Sequence, residues 1–266
     1  MFKRKLLSVI VPTYNQEKTI ERDIKKIISV LEEIRYDYEA IVVVDGMVDK
    51  TYQMAQKLES KKIKIVGYET NHGKGYAVRF GIAKSKGDII GFMDAGGDLN
   101  EKWLSMMLEH FRWYDADIIV GSKRHPVSKV KYPWQRRIFS WGYQMLIRIL
   151  FGLNIKDTQV GMKLYRREVL EDVMPRLIVK QFAFDIEILS VAYRLGYKRI
   201  YEAPVEIEFK TGMSNITSGN FWKVIWGMLW DTMAVFYRLK ILKYYDNINK
   251  HKWRYDPELN FRVNLP

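Results

Sequence analysis

Cysteine is absent from the 266 residues. That excludes a disulfide framework and any thiolate metal site, and leaves a reducing compartment open without requiring it. No run of about 20 uninterrupted apolar residues exists, so no transmembrane helix is expected and any membrane contact is lateral. The first residues are basic, but the apolar run 6–11 is short and ends at Pro12, so no signal peptide is expected either. Internal repeats, low-complexity tracts and clear linkers are also missing. Acidic residues are outnumbered, 31 against 44 lysines and arginines, which leaves a formal charge of +13. Such an excess asks for an anionic partner: nucleic acid, an anionic membrane face or a phosphorylated substrate. No nucleic-acid-binding motif accompanies it, and nucleic acid is not expected as a partner. What is plentiful is apolar content, 48%, enough to bury a full core in one large domain, alone or with a lipid-facing extension.

Short β-rich runs alternate with longer helical patterns through the first half. Residues 7–11, 40–44, 63–66, 89–93 and 118–120 read as buried strands, and 17–34, 49–58, 74–84 and 101–111 as helices. This progression predicts an α/β fold, a mostly parallel sheet flanked by helices, with ligands outside the carboxyl ends of the strands. The polar residues fall there. Pro12, Thr13, Tyr14 and Asn15 follow the first strand, Asp45 ends the second, residues 71–75 follow the third and 94–98 the fourth. After Gly121 come a basic loop, 123–137, and two aromatic amphipathic stretches, 138–153 and 221–242.

Asp94-Ala95-Gly96-Gly97-Asp98 is the most informative cluster. Carboxylates at a strand end, spaced by small residues that let a ligand approach the backbone, suit a hard divalent cation, Mg2+ or Mn2+, shared with substrate phosphates. A solvated turn suits the same residues. Asp45 is expected to be exposed at the sheet edge, where it accepts hydrogen bonds from a nucleobase, while Asp49 reads as a helix N-cap before Thr51. Asn71-His72-Gly73-Lys74-Gly75 offers free amides, a helix N-terminus and one ammonium to a diphosphate; an ordinary tight turn is the rival. The aromatic stretches combine Trp134, Arg136, Arg137, Phe139, Trp141, Tyr143 and Arg148, then Phe221, Trp222, Trp226, Trp230, Phe236 and Tyr237 with Lys223, Arg238, Lys240 and Lys243. They read as helices in the headgroup plane of a membrane, or as core or oligomer contacts.

In this order the motifs resemble the family 2 glycosyltransferases of the GT-A fold, over most of the chain. The residues that carry the resemblance are Val9-Ile10-Val11-Pro12-Thr13-Tyr14-Asn15, Asp45-Gly46 with Asp49 and Thr51, Asn71 to Gly75 with Arg79, and Gly91 to Asp98. Downstream, Val120-Gly121-Ser122-Lys123, Asp157-Thr158-Gln159-Val160-Gly161-Met162-Lys163 and Phe182-Ala183-Phe184-Asp185-Ile186-Glu187 resemble the polyprenyl-phosphate branch, above all the dolichyl-phosphate glucosyltransferases, with the mannose synthases nearby.

The resemblance implies an inverting transfer of a sugar, glucose from UDP-glucose, to a polyprenyl or dolichyl phosphate. The enzyme would be peripheral or monotopic on the cytoplasmic face of a membrane. It implies a GT-A catalytic domain over 1–215, including an acceptor-side interfacial helix at about 133–153, and an amphipathic, membrane-associating extension over 216–266. Pro12, Tyr14, Glu17 and Asp45 would line the nucleoside pocket, with Lys74 at the diphosphate. Lys123, Arg136 and Ser140 would bind the acceptor phosphate, and Asp94, Asp98, Asp157 and Gln159 would form the catalytic set. The chain departs from the family pattern at several of these positions. Gly96 stands at the second Asp of Asp-x-Asp, so Asp94 and Asp98 are expected to hold the cation together; the alternative is a weakened or lost metal site. Val44 and Met47 replace an Asp and a small polar residue near the base, and Lys123 replaces an Arg and loses bidentate geometry. Asp157 stands where hydroxyl-acceptor relatives place a base and is expected here to orient Lys163 or the acceptor. Gln159, Asp185 and Glu187 read as pocket walls or as buried structural partners. The rival functions are use of GDP-mannose or another UDP-sugar, transfer to a saccharide or protein hydroxyl, and a catalytically degenerate nucleotide-sugar-binding protein. A membrane-protein partner or a second copy would be the other occupants of the aromatic stretches.

Overall fold

The order of elements follows from how the β-branched runs are buried. In a computed structural model, residues 5–95, 102–131, 134–181, 183–208, 221–253 and 259 are described, with side chains for all of these except 130, 131, 134–139, 207, 208 and 221–224. The first half alternates β1 (Leu6–Thr13), α1 (Ile20–Glu33), β2 (Asp37–Asp45), α2 (Thr51–Gln56), β3 (Ile63–Tyr68), α3 (Lys74–Lys84), β4 (Ile89–Met93), α4 (Trp103–Trp113) and β5 (Ile118–Ser122). The second half adds β6 (Lys129–Lys131), α5 (Trp134–Phe151), β7 (Met162–Arg166), α6 (Arg167–Val173), α7 (Phe184–Arg194), β8 (Ile200–Pro204), β9 (Glu206–Glu208) and α8 (Phe221–Phe236). Seven strands form one sheet in the order β3-β2-β1-β4-β7-β5-β8, while β6 and β9 pair separately.

All pairings in the large sheet are parallel except those of β7, which runs antiparallel between β4 and β5. A parallel sheet is covered on both faces, so its strands are apolar on successive residues rather than on alternate ones. Ile10, Ile41, Val43 and Phe92 face a core shared with α3, α5, α7 and α8, while Val9, Val11, Ala40 and Val42 face a second core under α1 and α4. The period of two that separates these sets is the pleat of the strands.

Strand order reverses at β1, whose neighbours are β2 and β4, and in open α/β sheets such a switch point marks the crevice at the carboxyl ends of the strands where ligands bind. The sequence reading placed α3 and β4 at their observed bounds but did not anticipate β7. Its five residues include Lys163 and Arg166, whose charges break the apolar run that marks a buried strand.

The aromatic stretches are apolar toward the core and apolar again on an outer, exposed side. Ile147 and Phe151 of α5 and Val235 of α8 are buried, the two helices meet where Phe151 packs edge-on against Phe236, and Tyr143 bonds Thr232 at 2.8 Å. On the outer side, Trp141, Met145 and Ile149 of α5 are exposed, as are Trp226, Trp230, Met233, Tyr237 and Ile241 along α8 and the π turn Tyr237–Ile241 that ends it. Both sets recur at the three-to-four-residue spacing of a helix face. No helix among the described residues is long and apolar enough to cross a membrane.

Helix α3 lies close on the sheet at Gly81, where a methyl group would run into Ile10 and Val43, two β-branched side chains held in strands. Gly81→Val should therefore destabilise the fold by about 1–3 kcal/mol through overpacking, measured as a lower urea midpoint at unchanged slope.

Candidate active site

At the crevice, one buried carboxylate sets the loop before α3. Asp45, at the end of β2, is only 4% exposed. Its oxygens accept the Tyr68 hydroxyl at 2.9 Å, the Asn71 side-chain amide at 3.1 Å and the backbone amides of His72 at 2.8 Å and Gly73 at 3.0 Å. This corrects the expectation that Asp45 is exposed at the sheet edge: its oxygens accept these bonds inside the protein. Three of the loop's amides are engaged as well. Those of His72 and Gly73 go to Asp45, and that of Gly75 donates to the Lys180 carbonyl at 2.9 Å, so they do not form the free cradle expected for a diphosphate. What the loop presents is Lys74, the first residue of α3, delivered by Gly73 at a φ of 96° that disfavours any other residue.

The Lys74 ammonium reaches Asp94, the residue after β4, at 2.8 and 3.0 Å from its two oxygens. Asp94 can lie there because Gly161 opposes it: the Asp94 amide donates to the Gly161 carbonyl at 3.1 Å, and a side chain on Gly161 would occupy the place of the Asp94 carboxylate. Asp94 is 41% exposed at its side chain and Lys74 23%, so the pair borders solvent. Beneath it, Lys163 of β7 is fully buried and donates to Asp185 of α7 at 2.7 Å and to the Val160 carbonyl at 2.6 Å. The Phe92 ring lies 5.8 Å from the Lys74 ammonium and 5.0 Å from that of Lys163. Burial works against the charge on Lys74, but Asp94 and Asp185 outweigh it and hold its pKa above the ordinary lysine value. For Lys163 burial wins over Asp185, and the neighbouring Lys74 adds to the downward shift.

Of the two roles expected for Asp157, orienting Lys163 or the acceptor, the first does not hold. Asp157 is buried and accepts the Lys123 amide at 3.0 Å and the Gln159 amide at 3.1 Å, and the Lys123 ammonium lies 3.5 Å away. Asp185 takes the role instead, through a contact that the sequence separation hides. Gln159 leaves its side-chain Nε2 shielded from solvent without a protein partner. Ser140 of α5 accepts a bond at 3.2 Å from Arg124, a residue the sequence reading left within the basic loop without a role. Arg136 lies on α5, but its side chain is outside the described set, as is Asp98 altogether.

On the far side of the crevice, Tyr14 is exposed and Pro12 half-buried at the end of β1. Glu17 accepts the Lys50 amide at 3.2 Å, and Asp49 accepts the amides of Thr51 at 2.9 Å and Glu17 at 3.2 Å. Asp49 thus ties two loops together, with Lys50 rather than Asp49 at the N-cap position of α2. Partial burial raises the Asp49 pKa, but its hydrogen bonds with Thr51 and Glu17 prevail and keep it below the usual carboxylate value. Val44 is fully buried and Met47 exposed, so neither departure from the family pattern places a polar group here.

The model of glycosyl transferase family 2 matches residues 8–174, which spans β1 through α6 and includes Asp45, Lys74, Asp94 and Lys163. The chain belongs to this family. Family 2 relatives include a dolichyl-phosphate beta-glucosyltransferase of Dictyostelium discoideum, 32% identical, and one of Homo sapiens, 34% identical, each covering 71% of this chain. The aligned part is 63% of the length of each of these relatives. Among solved structures, glucosyl-3-phosphoglycerate synthase from Mycobacterium tuberculosis, in complex with Mn2+, UDP and phosphoglyceric acid, matches 88% of this chain and 78% of its own at a TM-score of 0.64 and 19% identity. Mannosyl-3-phosphoglycerate synthase from Rubrobacter xylanophilus matches 91% and 76% at a TM-score of 0.66 and 14% identity. At these identities the two establish the fold, and the family 2 chain has the GT-A architecture.

Removing one member of a buried ion pair strands the other charge, whereas replacing both with apolar groups of similar size avoids that cost. Lys163→Met should destabilise the protein by about 3–5 kcal/mol in chemical denaturation, and adding Asp185→Leu should restore most of the loss.

Proposed function

We propose that this chain is an inverting glycosyltransferase that moves a sugar from a nucleoside diphosphate to a polyprenyl phosphate at a membrane surface, with UDP-glucose and dolichyl phosphate as the leading pair. The observation that carries this reading is the Asp94–Lys74 pair, a carboxylate and an ammonium that border solvent at the switch point of a family 2 fold. The relatives named for glucosyl transfer to dolichyl phosphate support the choice of donor sugar and acceptor.

The donor set fits a hard cation. Among the described residues no cluster of three His, Cys, Asp or Glu exists to cage a metal, but Mg2+ is commonly held by one or two carboxylates with substrate phosphates completing the shell, and Asp94 presents such a carboxylate. Asp98 is proposed as the second ligand. When bound, Mg2+ or Mn2+ would neutralise charge developing on the leaving diphosphate. Lys74 serves the same end, releasing Asp94 and turning its ammonium to the phosphates. Gln159 offers an unpartnered amide to the substrate from the neighbouring loop.

The acceptor side favours a phosphate over a hydroxyl. A hydroxyl needs a base in reach, whereas Asp157 is buried and already accepts the Lys123 and Gln159 amides, which hold it in a structural role. A phosphate is already anionic at neutral pH and needs mainly to be held, for which Lys123, Arg124, Arg136 and Ser140 are the proposed groups. Ser140 directly precedes exposed Trp141, so a lipid lying along the apolar stripes of α5 and α8 would bring its headgroup to this place. The cytoplasmic leaflet is the proposed surface, contacted by the segment 216–266 and α5 of the catalytic domain 1–215.

A panel of UDP-glucose, GDP-mannose and other UDP-sugars, assayed with a short polyprenyl phosphate with and without Mn2+, should yield lipid-linked glucose only with metal. Asp94→Ala should lower kcat by roughly 100- to 1000-fold. Absence of any lipid-linked sugar, despite bound UDP, would turn the reading toward a nucleotide-sugar-binding protein. Replacing Trp226, Trp230 and Ile241 together by Ser should weaken flotation with anionic vesicles by at least about tenfold while leaving the thermal midpoint in place, since each removes an exposed apolar group worth up to about 1.5–3 kcal/mol when buried in lipid. Unchanged flotation would assign the stripe to another occupant.

A further inference from the structure

Between the C-terminal segment and the loop that carries Lys74 lies a buried carboxylate for which the transfer reaction has no use. Glu187 of α7 has no exposed surface. Its oxygens accept the amides of Ile178 at 3.1 Å and Val179 at 2.9 Å and the hydroxyl of Tyr245 at 2.6 Å. Tyr245 is fully buried in turn, and its carbonyl accepts Arg176 Nη1 at 2.6 Å, with the Arg176 guanidinium 4.2 Å from the Trp253 ring. Arg238, on the π turn that ends α8, acts on the same carboxylate with its positive charge. A single π turn inside or at the end of a helix is rare and tends to occur at functional positions. Here it joins the exposed stripe, at Tyr237 and Ile241, to the buried network, at Arg238.

The segment that Glu187 holds runs directly into the donor loop. Two residues beyond Val179, the chain has passed Lys180, whose carbonyl accepts the Gly75 amide at 2.9 Å and whose ammonium lies 5.3 Å from the Tyr76 ring. A methyl group on Gly73 would come within 2.7 Å of both the Lys180 carbonyl and the Gln181 side chain, so the loop rests on this segment with no space between them. Lys74 is therefore fixed on two sides, by Asp45 through His72 and Gly73 and by Glu187 through residues 178–181.

We propose that Glu187 and Tyr245 are positioning residues that hold Lys74 against the donor site from behind, so that the C-terminal segment along the exposed stripe sets the geometry of nucleotide binding. The donor role of Lys74 rests on the function proposed above; the mechanical link does not. A residue that serves only core stability would loosen the whole sheet, whereas a positioning residue loosens the Lys74 loop first.

The test uses the full chain with Tyr245→Phe, which removes one hydroxyl, and with Glu187→Gln as a second variant that keeps an acceptor and the side-chain shape. Amide hydrogen exchange at Gly75 should rise at least about tenfold in either variant while the amides of β1 and β2 keep their protection. UDP binding in Mn2+, by calorimetry, should weaken about tenfold, and in a Lys74→Ala background the same Tyr245→Phe should change it by less than about twofold. Exchange at Gly75 that is unchanged, or that rises no more than in β1, overturns the proposal, as does an undiminished loss in the Lys74→Ala background. If the wild-type chain binds no UDP while Gly75 still loosens in the variants, the donor reading falls and the link between the two segments stands.

Discussion

The contact between Lys74 and Asp94 is where the constraints on this chain converge. An ammonium and a carboxylate separated by 20 residues meet because α3 must start where Asp45 and Gly73 place it, and because β4 must end where Gly161 leaves room. The pair borders solvent, so each partner keeps the option of exchanging the other for a ligand of like charge. A cation can take the place of Lys74 on Asp94, and a phosphate can take the place of Asp94 on Lys74. That reciprocity is what a nucleoside diphosphate with its metal would exploit, and it gives the departure at Gly96 a physical sense, since a cation carried mainly by phosphate oxygens needs few protein ligands.

Around that contact the structure separates groups that hold from groups that act. Asp45, Asp157, Asp185 and Glu187 are all buried carboxylates that accept hydrogen bonds from backbone amides, from side chains or from both. Each fixes a neighbour that borders the crevice or bears on it: the loop before Lys74, Lys123, Lys163 and the segment beneath Gly75. Buried carboxylates of this kind are costly unless compensated: Asp157 and Asp185 each have a lysine within 4 Å, and Asp45 and Glu187 are held by hydrogen bonds. Orientation of the charged groups thus comes from the interior.

Much of the sheet could be read from the sequence because burial on both faces leaves an uninterrupted signal, as in Ile41 to Val44. The position of Asp94 could be read for the related reason that ligands gather at strand ends. Partnerships could not. Asp185 lies 22 residues from Lys163, Lys123 lies 34 from Asp157 and Arg124 lies 16 from Ser140, and no local period links them. Strand β7 was missed because its lysine is neutralised by one of these distant partners, so that a charged residue sits where an apolar one is the rule. Asp45 was placed at the right edge but turned the wrong way, since a strand-terminal aspartate looks the same in sequence whether it faces solvent or the next loop. The aromatic stretches were ambiguous for another reason: α5 and α8 are apolar on the face against the core and again on the face away from it.

The central claim is that Asp94 and Lys74 separate to receive a metal–nucleotide complex. A crystal structure of the full chain with UDP and Mn2+, with the ion located by its anomalous signal, tests it most directly. The account predicts an ion within about 2.2 Å of an Asp94 oxygen, at the oxygen-ligand distance typical of small divalent cations, and the Lys74 ammonium moved onto the diphosphate. A nucleotide bound with no ion beside Asp94, or with Lys74 still paired to it, would contradict the account.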